Sequence, residues 1–365
     1  MAELCGTILS GDIPVAEVRD GVVTVTNARL APLYFRRSQD AGAWLSGRAI
    51  DSHRANSRLL KKALRLAERD DISTVLSVNA VTITDNYWYR PEGSALTWED
   101  VRFKENLFDR LALCGDPDSF SQRPSRTPEL TNTGSFEKCW RLIDGRWWMY
   151  KSGNEKERFS ELFIYELGSA LGFSMARYEY ADGYVRSLDF TDNAAVNFEP
   201  ASAFMGEDED YGRNFEWFLG LSEELAKAYL RLIVLDTLCM NMDRHTQNYG
   251  VLRDTETGEI LRLAPNYDNN IALIARGYPK DVGREHDGMF RFLEEFLNRQ
   301  PRAKDMLAAL DMPAITEQMV EACMDRVPID VDRAFITRFV LNGQKRLNEL
   351  LLGGPTEAFT QTPQR

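Results

Sequence analysis

One short segment limits this chain more than any other. Asp243-Arg244-His245-Thr246-Gln247-Asn248 stands directly after a long apolar stretch, residues 222–240, and directly before an alternating run, residues 249–263, whose turn is Glu256-Thr257-Gly258. The first flank has the spacing of a buried helix and the second that of a β-hairpin. Asp268 follows the hairpin. A chain that forms both elements brings the end of a helix, a loop and the exit of a hairpin together, and with them two carboxylates and one amide.

Those three groups suit phosphoryl transfer, in which catalysis is mainly positioning and neutralisation of phosphate charge. One carboxylate has to receive the proton of a substrate hydroxyl, while an amide oxygen and a second carboxylate hold magnesium against the phosphates. Asp243 and Asn248 are separated by the interval between the catalytic Asp and the metal-binding Asn of the protein-kinase loop. Each residue alone has an ordinary reading as a turn cap, a strand start or part of an Asn-rich loop; the combination, with helix and hairpin in place, favours the catalytic one. His245 is read as orienting the loop by hydrogen bonding. With His53, His245 and His286 the only histidines, no cluster suggests a transition-metal site.

A nucleotide clamp is expected upstream. The strand-like run Trp147-Trp148-Met149-Tyr150-Lys151 ends in a lysine, and Glu161 lies on an amphipathic helical stretch over residues 155–171. A strand lysine paired with a helix glutamate holds the α- and β-phosphates in kinase folds; an unrelated surface pair is the plain alternative. Ahead of them, Thr131-Asn132-Thr133-Gly134-Ser135-Phe136-Glu137-Lys138 places one glycine among hydroxyl residues just before a strand. Backbone N–H groups near Gly134 and Ser135 are thereby offered to phosphate oxygens.

The rest of the chain organises around these segments. Residues 15–26 alternate about Asp20-Gly21 and read as a hairpin. Residues 41–69 have helical spacing, with a basic face assigned to solvent, and Trp88, Tyr89 and Trp98 read as packing anchors. The loop-like composition of residues 114–130 marks a boundary. Strands are expected at residues 138–143, 147–151 and 184–190, and helices at 222–240, 289–297, 316–327 and 336–352. These give four segments: an extension over 1–115, a small lobe over 116–195, a helical lobe over 196–353 and a disordered tail over 354–365.

A net charge of −12 argues against non-specific binding to nucleic-acid backbones. Five cysteines without a C-x-x-C pair indicate neither a zinc knuckle nor a disulfide framework, and point to reducing cytoplasm. No export signal and no membrane span are read.

The phosphate-loop, catalytic-loop and Tyr267-Asp268 segments together resemble the HipA-like serine/threonine kinases, with their motifs S-I-x-G-x-Q-E-K, D-R-H-x-x-N and a Tyr-Asp pair. The resemblance covers residues 129–352. It implies an α+β, bilobal protein-kinase-like fold with a small β-rich lobe, a mainly helical lobe and an amino-terminal extension. It implies ATP and Mg2+ as cofactors and a protein substrate with a Ser or Thr acceptor. Asp243 becomes the catalytic base, Asn248 and Asp268 the magnesium ligands, Lys151 the phosphate-binding lysine and Glu161 its partner, with adenine near the backbone of Leu188 and Phe190. Autophosphorylation in the phosphate loop, at Thr131 or Ser135, and a toxin role beside a DNA-binding antitoxin are further implications. Phe136 and Thr131 depart from the family's Gln and first Ser. A catalytically inactive ATP-binding module and a small-molecule phosphotransferase are the alternatives.

Overall fold

The computed structural model describes residues 4–66, 70–123 and 125–352; the tail expected to be disordered lies outside them. Three antiparallel sheets order the described residues. The first pairs β1 (Gly6–Ser10), β2 (Ile13–Arg19), β3 (Val22–Val25) and β4 (Tyr87–Pro91) in the order β3-β2-β1-β4. Asp20 and Gly21 join β2 to β3 with φ of 52° and 80°, the left-handed pair that a two-residue hairpin turn needs. Trp88 and Tyr89 are buried on β4. Being adjacent on a strand they face opposite ways, Tyr89 into the core of Ile8 and Val15 and Trp88 into one shared with Trp140 and Trp147.

The continuous helix expected over residues 41–69 does not form. Helices Ala41–Ser46 and Ser57–Ala63 are separate, and Arg65 leaves the second at φ 59°; residues 67–69 lie outside the described set. The reason is Arg54, which lies in the break, fully buried. It faces the equally buried Glu129 and donates to the carbonyls of Asn132 (3.1 Å) and Lys138. A buried guanidinium needs such partners collected around it, and only a bent chain places it among them.

The second sheet contains β5 (Lys138–Ile143), β6 (Arg146–Lys151), β7 (Tyr178–Ala181) and β8 (Tyr184–Leu188) in the order β5-β6-β8-β7. Helix Glu155–Ala170 packs against it, started by a capping box between Asn154 and Glu157. Its Phe159, Leu162, Phe163 and Leu167 are buried at helical spacing. The third sheet, in the order β11-β10-β9, consists of β9 (Val196–Pro200) and the expected hairpin of β10 (Gly250–Asp254) and β11 (Ile260–Leu263). Helices Tyr211–Leu221, Glu223–Leu238, Gly288–Arg299, Glu317–Met324 and Arg333–Leu352 enclose the largest core. Among the described residues no helix is long and apolar enough to cross a membrane.

A buried ion pair fastens the first sheet to the third. Glu199 on β9 pairs with Arg253 on β10. Arg253 also donates to the Tyr87 hydroxyl and the Ala31 carbonyl (both 3.0 Å), and the Leu33 N–H donates to Glu199 (2.6 Å).

Candidate active site

A cavity of about 220 Å³ lies between the second sheet and the segment after helix Glu223–Leu238. Gly134, Ser135, Lys151, Leu188, Phe190, Asp243, Asn248 and Asp268 all line it, as does Thr131. Of the residues singled out in the sequence only Glu161 stands behind the wall.

Lys151 ends β6 and reaches both carboxylates. Its ammonium donates to Glu161 Oε1 at 2.8 Å and to Asp268 Oδ1 at 2.7 Å. Burial alone would discharge this lysine, but Asp268 and Glu161 hold it protonated well above its ordinary range. Burial likewise opposes ionisation of Asp268, and Lys151 with Lys138 more than offsets it, so this carboxyl stays far below the usual range. Asp268 sits in the left-handed region at φ 61°, and its N–H donates to the Tyr178 hydroxyl at 3.0 Å. Just before it, Asn266 forms a parallel bridge to Met175, with the Ala176 N–H donating to the Asn266 carbonyl at 2.9 Å.

The catalytic-loop segment is folded by its own polar groups. The Asn248 N–H donates to the His245 carbonyl and its Nδ2 to the Asp243 carbonyl, both at 2.8 Å. That leaves Asn248 Oδ1 with no hydrogen bond among the described residues. The Asp243 carboxylate also makes none, and partial burial, with Asp268 adding to it against His245, raises its pKa. His245 accepts from the Gln247 N–H at 3.3 Å, an orienting contact of the kind the sequence reading assigned it.

Arg244, given no role in the sequence reading, holds the site together. Its guanidinium is buried against Asp236 and donates to the carbonyls of Asn248 and Tyr267 (both 2.6 Å) and to Asn269 Oδ1 (2.7 Å). Lys138 is a second omission. The register of β5 and β6 sets it opposite Lys151, and a Cβ added at Gly134 (φ 98°) would meet its ammonium at 2.5 Å. Burial lowers its pKa to about 8. Two lysines opposite each other at the edge of a hairpin were the available signal; the pairing register that makes them neighbours was not.

Thr131 and Ser135 are placed differently. The Thr131 hydroxyl is buried and donates to the Val81 carbonyl at 2.6 Å, whereas Ser135 is exposed. The Leu188 N–H donates to the Arg177 carbonyl at 2.9 Å, and Phe190 packs against Phe198 and Tyr267. The first third of the chain also enters the cavity wall, through Thr82, Ile83 and Thr84, with the Phe198 N–H donating to the Thr84 carbonyl at 2.9 Å.

The donor set suits magnesium. Among the described residues no three of His, Cys, Asp and Glu gather as a metal cage, and magnesium is held by one or two carboxylates together with phosphate oxygens and water. Asp268 and the amide oxygen of Asn248, both at the cavity wall, are groups of that kind.

No protein-family model matches the chain, and no curated protein matches its sequence. Solved structures do. The HipA of Shewanella oneidensis MR-1, solved as a toxin–antitoxin complex with HipB and operator DNA, is similar over 95% of this chain and 97% of its own, with a TM-score of 0.55 and 14% identity. The proinflammatory kinase CtkA of Helicobacter pylori is similar over 59% of this chain and 91% of its own, with a TM-score of 0.45 and 16% identity. The similarity to HipA spans nearly the whole of both chains, and the fold is protein-kinase-like, with a small β-rich lobe, a mainly helical lobe and an amino-terminal extension.

Proposed function

We propose that the chain is an ATP- and Mg2+-dependent kinase of the HipA-like type that phosphorylates Ser or Thr on a protein. The observation that carries this reading is Lys151, which bridges Glu161 and Asp268 in a cavity that Asp243 and Asn248 also line. A lysine fixed by two carboxylates is pre-positioned for phosphate. Lys138 adds a second cation beside the loop of Gly134, whose backbone N–H groups are open to phosphate oxygens.

In this reading Asp243, whose carboxylate makes no hydrogen bond among the described residues and stands at the cavity wall, receives the proton of the acceptor hydroxyl. Asn248 Oδ1 and Asp268 hold Mg2+, which supplies charge neutralisation on the triphosphate. Leu188 and Phe190 flank the adenine side, with Thr82–Thr84 opposite as a contribution of the extension. Ser135 is favoured over Thr131 for autophosphorylation, since it is exposed and the Thr131 hydroxyl is buried. The HipB partner of the Shewanella protein supports proposing a regulatory protein partner here.

The test is transfer of radiolabel from γ-labelled ATP to a cell extract and to the chain itself, comparing wild type with Asp243→Ala, alongside thermal stabilisation by Mg-ATP. Label on protein that vanishes in the variant supports the kinase. Stabilisation without transfer to any protein or metabolite identifies an inactive ATP-binding module, and label in metabolites alone identifies a small-molecule phosphotransferase.

A further inference from the structure

Building on the kinase reading, we propose that a second groove receives an acceptor polypeptide carrying Lys or Arg together with a large apolar side chain near its hydroxyl residue. This groove, of about 790 Å³, adjoins the nucleotide cavity, and Asp243 and His245 line both. A hydroxyl entering along it arrives at the carboxylate proposed as base.

Its walls are apolar and acidic at once. Met242 and Phe292, both lining it, are 66% and 58% exposed, and large apolar side chains gathered at one opening mark an interaction surface. Glu209, Asp210, Glu216 and Glu295 face the same space, against Arg213, Arg244 and Arg299. Each arginine is already engaged. Arg213 pairs with Asp208 and Arg244 with Asp236, neither of which lines the groove, and Arg299 lies 3.6 Å from Glu295. Glu209, Asp210 and Glu216 therefore have no ion-pair partner among the described residues; the carboxylate of Glu216 accepts only from the neutral Gln300, at 2.7 Å. A cationic segment complements this wall and an anionic acceptor is repelled by it.

Fluorescence anisotropy with labelled peptides in which Ala replaces the acceptor tests the idea without requiring catalysis. A peptide containing Lys and Phe is expected to bind ~10-fold more tightly than its counterpart with Glu for Lys, the selectivity falling severalfold in a Glu209→Arg/Glu216→Arg double variant and partly in Glu209→Gln. Equal binding of the two peptides, preference for the acidic one, or selectivity that survives charge reversal would overturn it. Circular dichroism and a cooperative urea transition verify that each variant is folded. Phosphate transfer to the matching Ser peptide reports separately on the kinase reading, so failure of one leaves the other standing or falling on its own result.

Discussion

Arg244 and Asp236 form a two-point ion pair inside the helical lobe, Nε to Oδ2 and Nη2 to Oδ1, each at 2.9 Å. Asp236 belongs to helix Glu223–Leu238 and Arg244 to the loop after it, so the pair folds the loop back on its own helix. The remaining donors of Arg244 reach the carbonyls of Asn248, itself a proposed metal ligand, and of Tyr267, which directly precedes the other, Asp268. Removing one partner strands a buried charge, which costs about 3–5 kcal/mol. Arg244→Ala should lose that much in urea unfolding and also lose Mg-ATP binding. Stability close to wild type would mean that the pair does not organise the loop.

Asp243→Asn should separate chemistry from binding. The Asp243 carboxylate has no hydrogen-bond partner among the described residues to lose, so folding and Mg-ATP stabilisation should persist while transfer falls by ~10²–10⁴-fold. Asn248→Ala should instead weaken the dependence of nucleotide binding on magnesium, measurable by titrating Mg2+ at fixed ATP.

Lys138 predicts a proton linkage. With its pKa lowered to about 8 in the free protein, it is charged below that pH and neutral above it. Phosphate beside it favours the charged form. Binding of ATP should therefore take up roughly three-quarters of a proton at pH 8.5 and under about a tenth at pH 7. Calorimetry in buffers of different ionisation enthalpy reads this directly. Lys138→Arg, which stays charged, should abolish the difference, and uptake that persists in that variant would assign it elsewhere.

The attachment of the extension rests on Glu199 and Arg253. Arg253→Met should destabilise the protein by about 3–5 kcal/mol, because it leaves a buried carboxylate without its cation. Tyr87→Phe removes two hydrogen bonds, one donated to Glu199 and one accepted from Arg253, but leaves the ion pair itself, and should cost less, about 2 kcal/mol. Urea unfolding of both variants distinguishes this graded pattern from a loose, dispensable contact, for which the two would be alike.

Elements with a local signature were readable. The Asp20-Gly21 turn, helix Glu155–Ala170 and the β10–β11 hairpin follow from turn chemistry, capping and periodicity. Strand β9 and the break around Arg54 were not, since both arise from distant partners: β9 from pairing with β10, the break from Glu129 and from the carbonyls of Asn132 and Lys138. The same division runs through the site. Asp243, Asn248, Asp268, Lys151 and Glu161 announce themselves by residue type and spacing, whereas Arg244, Lys138 and Thr82–Thr84 look like ordinary surface or loop residues until the chain is folded.

What the sequence determined by itself was the local order of helix, loop and hairpin and the identity of the polar groups each carries, because backbone propensity and hydrogen bonding act between near neighbours. Tertiary structure alone decided which of those groups meet. A salt bridge such as Lys151 to Asp268 joins residues 117 positions apart, and only the packing of the sheets against the helical core brings such partners within 3 Å.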